Sequence, residues 1–213
     1  MPASPDPATI QTWVAEARVD LADRLAALPV EAWEAESLCA GWRVRDVVGH
    51  LVFLAEGTRP SVFREAFKQA PRTVNRAVAR IARREGAAEP ADLVGRLRDA
   101  GGGGFTPPGF GPTVALGEVL VHGSDVLRPT GGEPRPADER TLLVAESYRR
   151  LGFAFGSRRA AKVRFTADDA GWSVGPPDGP VAHGPGEAVL LALAGRPEGV
   201  ADLTGPGTEP LAR

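Results

Sequence analysis

The sequence predicts a helical bundle followed by a small α+β module, and three observations carry that prediction. Apolar residues recur at helical spacing through most of residues 7–155, period-two alternation first appears after residue 160, and glycine and proline cluster at the joints between. The expected division is a helical domain over 1–156 and a small α+β domain over 157–213.

Taken in order, the first helix starts at Asp6, a side chain suited to capping, with Pro7 fitting the first turn. Ile10, Trp13, Val14, Ala17, Leu21, Leu25 and Leu28 form its apolar stripe, and Pro29 ends it. A loop from Ser37 to Trp42 leads to a second helix over about 43–55. Val44, Val47, Val48, Leu51, Val52, Phe53 and Leu54 make it apolar nearly all round, so it belongs between other elements.

Residues 61–85 are helical in pattern, rich in arginine and interrupted by Pro71. A short helix over 90–100 is closed by Gly101. The run Gly101 to Gly104 reads as a flexible loop, because no Lys-Ser/Thr follows to make it a phosphate-binding loop. A buried helix spans 113–127 before Pro129, and another, over about 137–155, turns Leu142, Ala145, Leu151 and Phe155 inward.

Beyond Gly156 the period changes. Lys162 to Thr166 alternates as a strand, Asp168 to Gly171 turns, and Trp172 to Val174 returns. A Pro-Pro-Asp-Gly-Pro turn at 176–180 leads to a third strand. A compact helix over 188–194 stops at Gly195, and Asp202 to Thr204 adds a last strand.

Composition narrows the function classes. A net charge of −2 over 213 residues leaves no overall basic footprint for nucleic acid, and no apolar run approaches the roughly 20 residues of a membrane span. The N-terminus lacks a secretory pattern and Cys39 is the only cysteine, so the expected compartment is the reducing cytoplasm.

The chemistry concentrates in three residues. Glu118 and His122 stand four apart in the buried helix over 113–127, which places them one turn apart on one face. His50 sits in the equally apolar second helix. Polar groups at such positions require partners. One solution is a buried Glu–His hydrogen bond. The other is an open divalent metal site with two imidazoles and a carboxylate as ligands and a position left for water or substrate. A third ligand arriving from a second helix favours the metal, since facing helices commonly build such sites.

Asp46 and Asp125 are positioned to accept the outer N–H of His50 and His122, respectively, or to serve as an ordinary helix-start charge and a late polar residue. His183, at a strand end, reads as a surface or cleft residue and not as a ligand. Cys39 reads as a small packed side chain, with a nucleophilic role as the rival. Arg72, Arg76, Arg80 and Arg84 form an i, i+4 stripe, usually a solvated face and otherwise a contact for an anion.

The segment Leu38-Cys39-Ala40-Gly41-Trp42-Arg43-Val44-Arg45-Asp46-Val47-Val48-Gly49-His50-Leu51, with Gly117 to Asp125, resembles the mycothiol-dependent maleylpyruvate isomerase family. Thr166 to Trp172 and Ala194-Gly195-Arg196 are similar to that family's second domain. Arg43 departs from the Ser or Thr common after the tryptophan. The resemblance implies a DinB-like metal-binding four-helix bundle with a small C-terminal α+β domain, and it places the metal ligands at His50, Glu118 and His122.

The function this implies is a metal-dependent, mycothiol-using isomerase or S-transferase acting on a small electrophile. Zn²⁺ is the expected ion and mycothiol the thiol cosubstrate; neither nucleic acid nor membrane is an expected partner. Arg80, Arg84 and Arg196 are candidates to bind an anionic group of thiol or substrate. Trp172 or Arg196 would contribute from a C-terminal domain that closes over the ligand. The rivals are a metal-assisted hydrolase, distinguished by turnover without thiol, and a non-catalytic metal or thiol-conjugate binder, distinguished by binding without turnover.

Overall fold

The computed structural model describes residues 5–57, 74–106, 111–151 and 159–212. It divides into two compact units, Met1–Glu133 and Pro134–Arg213.

In the first unit, α1 (Pro7–Ala26) begins as its sequence dictates: Asp6 accepts from the amides of Ala8 at 2.9 Å and Thr9 at 3.0 Å. Its stripe of Ile10, Val14, Ala17, Leu21 and Leu25 is buried. A 3-10 turn at Val30–Glu34 buries Trp33 and leads through a tight loop to α2 (Val44–Glu56). The helix α3 (Val74–Glu85) follows, then α4 (Pro90–Asp99) and α5 (Thr113–Leu127). The expected helical stretch over 61–73, with its break at Pro71, lies outside the described residues.

The helices α1, α4, α2 and α5 pack as a closed ring, each against the next, and α3 lies along α2. That is the expected four-helix bundle. Fully buried Val47, Val48, Leu51, Leu93, Leu97 and Leu116 fill it. Burying one such side chain stabilises the fold by about 1.5–3 kcal/mol.

The α2–α3 contact depends on glycine. A Cβ added to Gly49 would stand 2.4 Å from the Gly86 amide nitrogen and 2.7 Å from the Ala82 carbonyl oxygen, so the helices approach backbone to backbone. Arg45 reinforces the junction by donating to the carbonyls of Gly86 and Ala88.

The glycine run after α4 is a loop, as its composition implies, and it is held in place. The Arg18 guanidinium, 3% exposed, donates from Nη1 to the carbonyls of Gly101 at 2.5 Å and Gly103 at 2.8 Å. The Phe105 amide then donates to the Leu54 carbonyl at 2.8 Å. Burial without a carboxylate in these bonds pushes the Arg18 pKa down to about 10, which leaves it charged at neutral pH.

At the start of α2, Arg43 replaces the expected hydroxyl cap. Asp46 Oδ2 accepts from the Arg43 amide at 3.0 Å and from its Nε at 3.1 Å, and Oδ1 accepts from Nη2 at 2.9 Å. Asp46 thus serves the helix start and does not orient His50, one of the two roles open to it in the sequence.

The second unit starts earlier than the expected boundary at 156. The helix α6 (Glu139–Arg150), capped by Asp138, has its buried Val144, Ala145 and Tyr148 and packs on the C-terminal module. Its period announced a helix but could not say which core would receive it. Leu142 and Leu151, expected to point inward, are half-buried, and Phe155 lies outside the described residues.

A 3-10 turn at Ala160–Lys162 precedes β1 (Arg164–Ala167), β2 (Trp172–Val174) and β3 (Val181–Gly184). The sheet order is β2-β1-β3, with β1 antiparallel to β2 and parallel to β3. Phe165 pairs with Val174 on one side and Ala182 on the other, aligning a buried row against α7 (Gly186–Leu193). The last expected strand is a single bridge between His183 and Thr204, preceded by α8 (Pro197–Ala201), whose five residues are too few to announce a period. No described helix is long and apolar enough to cross a membrane.

Two stability predictions follow from these contacts. Gly49→Ala should destabilise by ~1–3 kcal/mol through overpacking, whereas Gly95→Ala, whose added Cβ meets nothing within 4 Å, should be neutral or stabilising. Urea unfolding of both variants checks this, and equal effects would refute the close α2–α3 packing.

Burial alone would raise the Asp46 carboxyl, but the hydrogen bonds and charge of Arg43 outweigh it and hold the group below its usual range. A depressed folded value contributes stability that is present above about pH 4 and lost as pH falls through that lower value. Asp46→Asn should therefore lower the urea midpoint at neutral pH, with the gap to wild type narrowing in acid. A gap independent of pH would contradict this.

Candidate metal centre

Two helices of the first unit bring the three predicted residues together. His50 lies two turns into α2, and Glu118 and His122 lie on one face of α5, which packs directly against α2. Both imidazoles present Nε2 to the same carboxylate oxygen. Glu118 Oε2 is 3.3 Å from His50 Nε2 and 3.2 Å from His122 Nε2. The rings stand nearly perpendicular, at 87°, with centroids 5.2 Å apart.

These spacings match the edges of a metal coordination tetrahedron. With bonds of about 2.0–2.1 Å to nitrogen and oxygen, adjacent donors sit about 3.3 Å apart. One donor atom from each residue can be chosen so that all three lie within 4.8 Å of one another. The side chains are 12%, 22% and 15% exposed for His50, Glu118 and His122, so the cluster is partly open and a further ligand can approach.

Both histidines have further partners outside the cluster. The Nδ1–H of His122 donates to Asp125 Oδ2 at 2.8 Å, and Asp125 is fully buried. That bond directs Nε2 toward Glu118, the orienting role open to Asp125 in the sequence. The rings of His50 and Trp42 meet in a T-shaped pair, with centroids 5.5 Å apart at 78°.

Trp42 is placed by the preceding loop. The Ser37 amide donates to the Trp42 carbonyl and the Trp42 amide to the Cys39 carbonyl, both at 2.9 Å, around Gly41 at φ +75°. The Leu38 amide donates to the Asp125 carbonyl at 3.0 Å, which fastens the loop to α5.

The same fastening delivers Cys39. Its Sγ lies 3.1 Å from Asp125 Oδ2 and 3.5 Å from His122 Nδ1, so the thiol is a polar neighbour of the cluster and not merely a packed apolar side chain. Neither this contact nor that of Trp42 was legible in the sequence, because both depend on the loop doubling back onto α5 and α2.

The charges are mutually supporting. Burial would raise the Glu118 carboxyl, but hydrogen bonds and charge from His122 and His50 drive it far below the usual range. Burial would likewise lower the His122 imidazole, yet Asp125, Cys39 and Glu118 together raise it well above its ordinary value. The His122 imidazole thus stands between two carboxylates, Glu118 on its Nε2 side and Asp125 on its Nδ1 side.

The other residues singled out in the sequence are spread over both units. Arg76, Arg80 and Arg84 are on the exposed face of α3, and Arg84 pairs with Glu85; Arg72 lies outside the described residues. Arg196 is in the second unit, where its Nη1 donates to the Ala194 carbonyl at 3.4 Å. His183 is exposed, as expected, with Nδ1 bonded to Asp168 at 2.9 Å and Nε2 to Thr204 at 3.1 Å. Trp172 is half-buried, and its indole Nε1 has no hydrogen-bond partner among the described residues.

Fold and cluster together define a DinB-like helical bundle joined to a small α+β module. Comparison with known proteins points in the same direction as the motifs. Residues 14–103 match the mycothiol maleylpyruvate isomerase N-terminal domain. Two solved structures share the fold: the mycothiol-dependent maleylpyruvate isomerase, at 14% identity and a TM-score of 0.60, and a histidine-to-alanine mutant of it, at 13% and 0.61. Each similarity covers 96% of this chain and 95% of the other. No curated protein sequence matches the chain significantly. The family resemblance read from the motifs is borne out.

Proposed function

We propose that this chain is a metal-dependent enzyme using mycothiol as cosubstrate, an isomerase or S-transferase for a small electrophile. In this reading His50, Glu118 and His122 hold one divalent ion, with Zn²⁺ the ion expected for two imidazoles and a carboxylate. The observation that carries it is the convergence of both Nε2 atoms on one oxygen of Glu118 at 3.2 and 3.3 Å, in a cluster left partly open. The description of the matched domain supports the choice of thiol.

A divalent ion at such a site favours the deprotonated form of a thiol at neutral pH. The chain's own residues prepare for it. Asp125 holds the proton of His122 on Nδ1 and leaves Nε2 for the site, while Trp42 packs against His50 in a T-shaped ring pair. In isomerisation, the sulfur forms a bond to one carbon of an activated double bond, the remaining single bond rotates, and elimination breaks the carbon–sulfur bond and returns the thiol. In transfer, the carbon–sulfur bond persists in the product.

Purified protein should hold roughly one divalent ion per chain, and His50→Ala, Glu118→Ala and His122→Ala should each lose most of it. Elemental analysis decides this; metal content unchanged in all three folded variants would end the metal reading.

Turnover of an activated cis-alkene such as maleylpyruvate should require mycothiol, and equal turnover without thiol would exclude the proposed chemistry. Arg80, Arg84 and Arg196 are the proposed contacts for anionic groups of cosubstrate or substrate. Arg→Gln at a true contact should raise KM while leaving kcat nearly unchanged, the signature of binding lost equally from ground and transition states.

A further inference from the structure

We propose that Cys39 is a positioning residue for the metal cluster, acting through Asp125 on His122; this rests on the metal reading above. Three atoms form a closed triangle behind the imidazole. Asp125 Oδ2 is 2.8 Å from His122 Nδ1 and 3.1 Å from Cys39 Sγ, and Sγ is 3.5 Å from Nδ1. The thiol donates its S–H to the oxygen that also accepts the imidazole N–H.

The contact is built into the backbone. The amide of Leu38 donates to the carbonyl of Asp125 at 3.0 Å, so the residue before the thiol is tied to the residue whose side chain the thiol meets. Ser37 Oγ accepts from the Cys39 amide at 3.1 Å and donates to the Trp42 carbonyl at 2.9 Å, which closes the turn around the cysteine. The backbone that carries Sγ is therefore held by hydrogen bonds, and the contact with Asp125 Oδ2 fixes the rotamer of the thiol.

The consequence is geometric. A carboxylate held by one side-chain donor can rotate about its terminal bond; a second donor on the same oxygen narrows that motion. Asp125 is fully buried, so a displaced oxygen has little water to turn to. Fixing Oδ2 fixes the imidazole plane and the aim of Nε2 at Glu118. This gives Cys39 a role distinct from the two read in the sequence, nucleophile and packing residue, because it needs a donor at this place and no thiolate.

The test compares Cys39→Ser, which keeps a donor, with Cys39→Ala, which removes it. Partners that orient metal ligands are worth about 10–100-fold in affinity, so Cys39→Ala should weaken Zn²⁺ binding about tenfold, while Cys39→Ser stays within about twofold of wild type. In the Asp125→Asn background the Cys39→Ala substitution should add little, since the two act as one unit.

A second readout needs no metal. In ¹⁵N-labelled protein stripped with chelator, the His122 Nδ1–H resonance should be retained in Cys39→Ser and shifted or lost to exchange in Cys39→Ala. If wild-type protein binds no metal, the metal reading fails while this resonance still decides the hydrogen-bond relay. Cys39→Val replaces the alanine variant should that one fail to fold.

Three results would overturn the proposal: wild-type affinity and resonance in Cys39→Ala, an equal loss in Cys39→Ser and Cys39→Ala, or an intense thiolate-to-metal charge-transfer band in the Co²⁺-loaded protein. The last would make Cys39 a ligand and not a positioning residue.

Discussion

Two apolar helices that carry three polar side chains into their shared interface set the constraint on which this protein is built. The helices α2 and α5 supply Val47, Val48, Leu51, Leu116 and Leu120 to the core, and between them stand His50, Glu118 and His122. Each polar group has to find partners close at hand, because most of its surroundings are apolar. The shared oxygen of Glu118 satisfies both rings at once. The two helices are thereby registered against one another by chemistry as well as by packing.

The surrounding structure answers to that registration. On one side α3 approaches α2 at Gly49, the residue just before His50, so the imidazole and the backbone contact belong to one turn of helix. On another side the loop from Ser37 to Trp42 bonds to the backbone of Asp125 and brings the Trp42 ring to His50. Asp125 joins both arrangements, with its carbonyl holding the loop and its carboxylate holding His122. A displacement of α5 would disturb the loop, the ring wall and the imidazole together.

Much of this was legible because it rests on local period and residue type. The helices over 7–26, 44–56 and 113–127 follow their apolar stripes, and the triad was readable from two histidines and a glutamate placed where polar groups are costly. What escaped the reading depends on contacts remote in sequence. The stripe of α6 is as regular as any other, yet nothing in it specifies that its partner is α7 and not the bundle. Asp46 and Asp125 have similar spacings to their histidines and are equally buried, and only the neighbouring Arg43, which takes up the Asp46 carboxylate, separates a helix-start residue from an orienting one. The matched domain over 14–103 contains His50 but neither Glu118 nor His122, so the cluster unites a recognised segment with a helix beyond it.

Arg18 carries a consequence for how the loop after α4 responds to its medium. Its guanidinium binds the Gly101 and Gly103 carbonyls, which are dipoles, while the half-buried Arg96 pairs with the carboxylates of Glu56 and Glu85. Ion pairs near the surface weaken as the Debye length shrinks from about 10 Å at 0.1 M salt to about 3 Å at 1 M. A buried cation bound to neutral acceptors has no such counter-charge to lose. The glycine loop is accordingly anchored in a manner that tolerates high ionic strength, while the Arg96 junction between α2, α3 and α4 is the part of the bundle that salt can loosen.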